Sequence, residues 1–195
     1  MSTNHREDRL YPYDVAKAEN LLDEAGWVMG DDGIRAKDGE KLVLDFVNWP
    51  PGESVVLAAQ GILKPLGIEI IAQIFDQPTR VQMGHNGEGN IFMNTVVDTD
   101  PGGVGLFYHS KNMGTFNWPR FANEQIDAAL DQQQVATDPT KRAQLLEDFQ
   151  VRVMENALIY PAYLFARLHA VAAAVQGFRV SPLGTYPYFY EMWLA

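Results

Sequence analysis

The chain has 195 residues, of which 47% are hydrophobic and 21% are charged, a composition typical of a globular domain rather than a disordered one. Its formal net charge of −10 at pH 7 argues against nucleic acid or an anionic membrane surface as a partner, because both require clustered lysine and arginine. Cysteine is absent, which excludes disulfides, cysteine-based zinc sites and a cysteine nucleophile.

The polar beginning of the chain leads into a first predicted helix. Residues 1–12 are expected to be flexible, and they contain no apolar segment of the kind found in signal peptides. No apolar run of the sequence is long enough to predict a transmembrane helix. Asp14 is predicted to be the N-cap of a helix that continues to Ala25, and Gly26 is predicted to terminate it, since apolar residues recur at helical spacing between them.

The next elements predict a β-α-β unit. The pair Asp38-Gly39 is a typical hairpin signal, with short strands expected on either side. An alternating strand over residues 42–47 is followed by a helix that ends near residue 64 and by an apolar strand over residues 68–75. This order favours parallel pairing of the two strands, and it indicates the α/β class.

A third strand, over residues 91–97, leads into the sequence Asp-Thr-Asp-Pro-Gly-Gly at residues 98–103. In open α/β sheets, ligands bind where loops leave the carboxyl ends of the strands. Asp98 and Asp100 therefore predict an acidic rim that receives an amine, another cation or a hydroxyl group. In the alternative interpretation, Asp100 is the N-cap of a short helix whose first residue is Pro101. The sequence leaves both interpretations open.

The loop over residues 109–122 carries three aromatic side chains, those of Phe116, Trp118 and Phe121. Aromatic side chains beside a polar rim are suited to lining a ligand pocket, because they combine a large contact area with few polar groups. They would equally serve to cover the edge of the core. The sequence favours neither interpretation.

Two helices and two strand-like segments complete the predicted elements. Asn123 and Asp138 are expected to cap successive helices, and a proline follows Asp138 at the position where helices tolerate it. Apolar residues dominate 157–165 and 168–174, which predicts strands. Arg167 lies between these two segments, where it could bind a ligand carboxylate in bidentate fashion or pair with a neighbouring acidic residue.

Motifs for catalysis or cofactor binding are lacking in the sequence. The four histidines are far apart and show no spacing typical of a metal site. No serine-nucleophile elbow, P-loop or dinucleotide-binding glycine motif is present. Asp98 and Asp100 have no partnered base or oxyanion donor in the pattern. We therefore predict no catalytic residue, no metal site and no cofactor, and we do not expect an enzyme.

Several segments resemble one protein family in the same order and spacing. Residues 13–27, YDVAKAENLLDEAGW, are similar to the segment YD-x-x-KA-x-x-LL-x-EAGW of the extracytoplasmic solute-binding proteins of peptide-type ABC transporters, the family 5 or dipeptide and oligopeptide-binding group. The resemblance covers residues 11–195. Its further segments are residues 32–42, residues 63–70, Asp100-Pro101, residues 123–130, and residues 160–163 together with 177–182.

The resemblance implies a periplasmic-binding-protein-like α/β lobe with a mixed sheet flanked by helices. Residues 13–176 would form the C-terminal lobe of a two-lobed protein, and residues 177–195 a tail that returns to a first lobe outside this sequence. Such a protein captures a small peptide or a similar polar solute for import, delivers it to ABC permease subunits, and works in the periplasm or another extracytoplasmic location. The aromatic tail would then expose apolar surface, through which the chain could self-associate.

The resemblance also implies a set of ligand-binding residues. In peptide-binding relatives, an aspartate at the end of the rim strand pairs with the α-amino group of the peptide, and Asp98 holds that position here. Its spacing to the following Asp-Pro is one residue shorter than in the family, which fits a ligand other than a standard peptide. An alternative function is a stand-alone interaction or sensory domain that uses its aromatic surface. The predicted ligand-binding residues are Asn94, Asp98, Asp100, Tyr108, Trp118 and Arg167.

Overall fold

The computed structural model of the protein describes residues 11–96, 98, 100–163, 168–181 and 186–195. Most of the segment predicted to be flexible, residues 1–12, lies outside this range. The helices are α1 (Val15–Glu24), α2 (Glu53–Leu63), α3 (Gln77–Asn86), α4 (Gly105–Tyr108), α5 (Glu124–Val135) and α6 (Pro139–Glu155). The strands are β1 (Val28–Met29), β2 (Arg35–Lys37), β3 (Glu40–Lys41), β4 (Val43–Asn48), β5 (Glu69–Ile74), β6 (Ile91–Phe92), β7 (Val175–Gln176) and β8 (Trp193–Leu194).

The first helix and the hairpin after it have the predicted ends. The Asp14 side chain accepts a hydrogen bond from the Lys17 amide, which caps α1. Gly26 follows α1 with a φ of 86°, the left-handed conformation that glycine adopts without strain. The strands β1, β2 and β3 pair antiparallel in one small sheet, and the turn between β2 and β3 is formed by Asp38 and Gly39, both at positive φ.

A three-stranded parallel sheet contains β4 at its centre, with β5 on one side and β6 on the other. The connection through α2 makes the predicted β-α-β unit, and its parallel pairing is confirmed. One core cluster fills the space between α2 and the sheet, because β4, β5 and α2 each direct an apolar side chain into it. The buried members of this cluster are Phe46, Val56 and Ile70.

The strand predicted over residues 91–97 is wrong at residues 93–96, because Ile91 and Phe92 are the only two of its described residues that pair with β4. The backbone groups that follow form hydrogen bonds with side chains instead of with a neighbouring strand. The Met93 carbonyl accepts a hydrogen bond from Arg80, and the Thr95 amide donates to the Asn94 side chain. Those backbone groups are therefore used outside the sheet ladder.

A second core cluster lies between α5 and α6, which pack against each other. Asn123 and Asp138 cap these helices as predicted, each with its side-chain oxygen accepting from backbone amides of the first turn. The apolar faces of the two helices form the cluster, and side chains from α4 and the loops pack onto it. Its buried members are Ile126, Ala129, Leu130, Phe149 and Val153.

The last part of the chain departs from the sequence prediction. Within the described residues of 157–165 and 168–174, no strand is formed, and Leu168 is 96% exposed. Apolar residues favour strands mainly because their side chains pack on a half-buried surface. An exposed apolar side chain therefore does not stabilise a strand. A strand forms instead at β7, which pairs antiparallel with β8. The predicted boundary at residue 176 thus lies where β7 ends, and β8 belongs to the predicted tail.

The expected α/β class is confirmed, with parallel pairing in the central sheet and antiparallel pairing in the two small ones. In the part of the chain that the structure describes, no helix combines the length and the apolar character needed to cross a membrane.

Candidate functional site

The carboxyl ends of the three parallel strands open into a cleft. β4 ends at Asn48, β5 at Ile74 and β6 at Phe92, and the residues that follow each strand meet at the same edge of the sheet. This is the edge where open α/β sheets bind ligands. The cleft is open to solvent and has a volume of about 270 Å³. It is lined by Trp49, Gln77, Arg80, Asn94 and Thr95.

Arg80 is the most unusual side chain of the cleft, since it is only 2% exposed. Its guanidinium carbon lies 4.8 Å from the centre of the Trp49 ring and 5.1 Å from that of the Trp118 ring. Nη1 donates to the Met93 carbonyl at 2.8 Å, and Nε donates to the Gln77 side-chain oxygen at 3.1 Å. Burial lowers the pKa of Arg80 from its ordinary value of 12.5, yet an arginine of this kind stays charged at neutral pH.

The Trp118 ring packs against the guanidinium of this arginine. Its indole packs 5.2 Å from the Phe92 ring, centre to centre, and its Nε1–H donates to the Thr115 carbonyl at 2.8 Å. The ring also lies against Gly84 of α3, where a side-chain carbon would be 2.5 Å from the indole. The sequence left open whether Trp118 lines a pocket or covers the core; the structure places it half-buried, between β6, α3 and the cleft arginine.

Asp100 has the capping geometry that the alternative interpretation described. Its Oδ1 accepts from the Gly102 amide at 2.7 Å, which caps the short helical turn Pro101–Val104. The same oxygen pairs with Arg142 Nη2 at 2.5 Å. The Arg142 hydrogen bond, followed by that from Gly102, lowers the pKa of the Asp100 carboxyl below its ordinary value of 3.8. Its proposed ligand-binding role would have to coexist with these structural contacts.

Asp98 differs from Asp100 in having no cationic partner among the described residues. Its Oδ1 accepts from the Asp100 amide at 3.1 Å, and its other oxygen lies against the Gly103 backbone. The side chain is exposed. A solvent-exposed carboxylate without a cation nearby can receive an amine, which is the role that the sequence pattern predicts for it.

Tyr108 is not among the residues that line the cleft. The Tyr108 ring packs 5.5 Å from the Phe149 ring, centre to centre, on the core between α5 and α6. Burial raises the pKa of Tyr108 to about 12. Arg167 lies outside the described residues. Of the predicted ligand-binding residues, Asn94 thus lines the cleft and Trp118 supports its arginine.

The sequence reasoning missed Trp49, Gln77 and Arg80. Trp49 directly follows β4, and Gln77 comes three residues after β5 ends. Because the carboxyl ends of parallel strands meet at one edge, the ends of the first two predicted strands pointed to the same site as the third. A signal for Arg80 was also present, since it lies one helical turn after Gln77.

The cleft offers hydrogen-bond donors and an apolar wall. Among its lining residues, Arg80, Gln77 and Asn94 supply hydrogen-bond donors, and Trp49 supplies an apolar wall. The described residues include no group of histidine, aspartate and glutamate side chains that could hold a metal ion. The lining contains neither a carboxylate nor an imidazole, the side chains that usually act as an acid or a base.

Comparison with protein families gives one match that spans more than half of the chain. The model for bacterial extracellular solute-binding proteins, family 5 Middle, matches residues 2–117. A protein of Brucella ovis with the provisional name ABC transporter peptide-binding protein is 30% identical over 148 residues, covering 71% of this chain and 27% of the relative. Heme-binding protein A of Haemophilus influenzae is 28% identical over 183 residues, covering 92% of this chain and 32% of the relative.

A solved structure shares this fold. The oligopeptide-binding protein AppA of Bacillus subtilis, determined in complex with a nonapeptide, superposes with a TM-score of 0.81 and 22% identity, and the match covers 100% of this chain and 40% of AppA. The chain therefore spans less than half the length of AppA and about a third or less of the two curated relatives.

Proposed function

The chain belongs to the bacterial extracellular solute-binding proteins of family 5, and from that membership we propose that it is a ligand-binding lobe that captures a small peptide or a similar polar solute for ABC-transporter import. The observation that carries the proposal is the family match over residues 2–117, because every residue that lines the cleft lies inside that range. The relatives are named as binding proteins, which supports a lobe that binds without turnover.

The proposed binding roles follow from the charges at the rim and the cleft. Asp98 binds the amino group of the solute, since its carboxylate is exposed and has no cationic partner among the described residues. Asn94 hydrogen-bonds a polar group of the solute from the cleft wall. Trp118 fixes the position of Arg80. Asp100, Tyr108 and Arg167 remain predicted ligand-binding residues, of which Asp100 and Tyr108 also have structural contacts.

The wider arrangement is likewise a proposal. Residues 13–176 form the lobe, and residues 177–195 form a tail that carries exposed aromatic side chains such as Tyr190 and Trp193. The complete protein works in the periplasm or another extracytoplasmic location and delivers its solute to ABC permease subunits. The exposed tail is a surface for contact with another lobe or with a second copy of this chain. We propose no enzymatic activity.

The test is solute uptake in a strain that lacks the gene. A labelled mixture of short peptides is supplied, and the gene is restored as wild type, Asp98→Asn or Asp148→Asn. Asp148 is an exposed acidic residue of α6, so its variant is the charge-matched control. We expect deletion to abolish uptake of some peptides, which wild type and Asp148→Asn restore and Asp98→Asn restores poorly. Unchanged uptake of all peptides after deletion contradicts the import function.

A further inference from the structure

The cleft at the carboxyl edge of the parallel sheet contains a buried positive charge with no carboxylate bound to it among the described residues. Arg80 is 2% exposed, and its hydrogen bonds go to one carbonyl and one amide oxygen, both neutral. Burial lowers the pKa of Arg80 from its ordinary value of 12.5. A buried charge that lacks a counter-charge is costly, and folded proteins seldom keep one without a use for it.

Some N–H groups of the Arg80 guanidinium form no hydrogen bond with the described residues, and such groups are suited to binding an anion. Nη2 donates to no described residue, and Nη1 uses one of its N–H groups on Met93. The indoles of Trp49 and Trp118 contact the flat guanidinium, so the edge of the group is what remains for hydrogen bonding. A planar ligand with two oxygens, such as a carboxylate, matches a guanidinium edge better than a tetrahedral anion in a space between indoles.

Two neighbouring features favour negative charge in the same place. Asn94 uses its side-chain oxygen to accept from the Thr95 amide, which leaves its amide nitrogen as a donor at the cleft wall. The ten-residue helix α3 begins at Gln77, also in the lining, and a helix N-terminus carries a partial positive charge. Asp76, the N-cap of α3, directs its carboxylate at the Thr79 amide and is not part of the lining.

From these observations we propose that the cleft is a carboxylate subsite, in which Arg80 Nη2 and Asn94 Nδ2 bind a free carboxylate of the captured solute. The proposal rests on the proposed function for the identity of the solute, but the subsite can be tested on this chain alone. It makes the solute an acid, such as a peptide with a free carboxyl terminus or a small organic acid. The volume of about 270 Å³ suits the carboxylate end of such a molecule rather than a complete oligopeptide.

The experiment compares two probes that differ only in charge, N-acetylglycine and N-acetylglycine amide. Each is titrated at millimolar concentration into the purified isotope-labelled chain, and the N–H signals of Arg80 Nε and the Trp49 and Trp118 indoles are followed by NMR. We expect the acid to shift these three signals in a saturable manner and the amide to leave them unchanged. Equal responses to acid and amide overturn the proposal, and this comparison requires no variant to fold.

Variants then assign the binding to the arginine. We expect Arg80→Met to abolish the response and Arg80→Lys to weaken binding by about tenfold, because lysine keeps the charge but loses the planar fork. Arg152→Met is the matched control, since Arg152 contacts Gln125 rather than the cleft. Binding that survives in Arg80→Met overturns the assignment.

Two further readouts separate the possible failures. Inorganic phosphate is titrated as a third probe, and phosphate binding tighter than N-acetylglycine binding would overturn the carboxylate class. Terminal-amide peptides are added to the uptake assay in the deletion strain. If the acid and amide probes behave alike while uptake still depends on the gene, the subsite fails and the import function stands. If the acid binds the cleft but deletion leaves uptake unchanged, the import function fails and the subsite stands.

Discussion

Replacing Gly84 with alanine tests the contact that holds Trp118 in place. Gly84 lies in α3, third from its last residue, and the Trp118 indole packs directly on its backbone. An added side-chain carbon would lie 2.5 Å from Cε2, 2.6 Å from Cδ2 and 2.8 Å from Nε1 of that ring. These separations are shorter than van der Waals contact, and the obstacle is a rigid ring rather than the end of a flexible side chain. The indole or the helix must therefore move.

Gly61 provides the matched control within the same chain. It is also the third residue from the end of its helix, α2, and an added carbon there would meet no atom within 4 Å. In either helix, alanine in place of glycine stabilises by about 0.5–1 kcal/mol through the lower entropy of the unfolded chain. At Gly84, overpacking opposes this gain by about 1–3 kcal/mol. The free energies of unfolding of the two variants should thus differ by about 1–3 kcal/mol.

Thermal and urea denaturation, both followed by circular dichroism, measure the two variants against wild type. For a chain of this length, each kcal/mol corresponds to about 2–4 °C in Tm. We expect Gly61→Ala, with its gain of about 0.5–1 kcal/mol, to raise Tm by about 1–4 °C and Gly84→Ala to leave Tm unchanged or lower it. The Trp118 indole signal should also move in Gly84→Ala, together with the Arg80 Nε signal. Equal stabilisation by the two alanines would refute the packing argument.

Changes at three further residues test the core and the rim. Phe149→Ala should destabilise by about 3–5 kcal/mol in urea denaturation, since Phe149 is 4% exposed and packs on Tyr108. Asp100→Ala should cost about 1 kcal/mol of stability through the lost cap, whereas Asp100→Asn retains the cap and loses only the partly exposed pair with Arg142. The folded-state pKa of Asp100 lies below 3.8. The stability that its charge contributes is therefore present above pH 3.8 and lost as pH falls through the lowered pKa. The free energies of unfolding of wild type and Asp100→Asn should thus converge on acidification. In an alkaline titration followed by tyrosinate absorbance, one tyrosine should ionise near pH 12, after ordinary tyrosines, and Tyr108→Phe should remove that step.

Local signals in the sequence predicted the elements that depend on local physics. Asp14, Asn123 and Asp138 cap helices as expected, because a capping oxygen needs only the amides two or three residues ahead of it. The turn at Asp38 and Gly39 follows from the positive φ that those residue types tolerate. The parallel β-α-β unit follows from element order alone. None of these predictions required knowledge of a distant contact.

Predictions that depended on burial were less successful. The apolar run at residues 168–174 has strand-like composition, but Leu168 is exposed and no strand forms there in the described residues. Hydrophobic periodicity shows which side chains could be buried, and it does not show what covers them. Asp100 illustrates the same limit at the site: its partner Arg142 is 42 residues away, and no local pattern indicates that pairing.

The early end of β6 and the cleft depend on the same contact, the hydrogen bond between Arg80 and the Met93 carbonyl. Had β6 continued beyond Phe92 as predicted, the Met93 carbonyl would have been available to the ladder rather than to Arg80. Arg80 takes that carbonyl because its guanidinium is held between two indoles, and Trp118 can reach it only because Gly84 has no side chain. The residues that end the strand are therefore the residues that build the binding site. Predicting strands and binding sites separately therefore misses both features. An arginine one helical turn into a helix that follows a parallel strand is a signal that could be sought in other sequences.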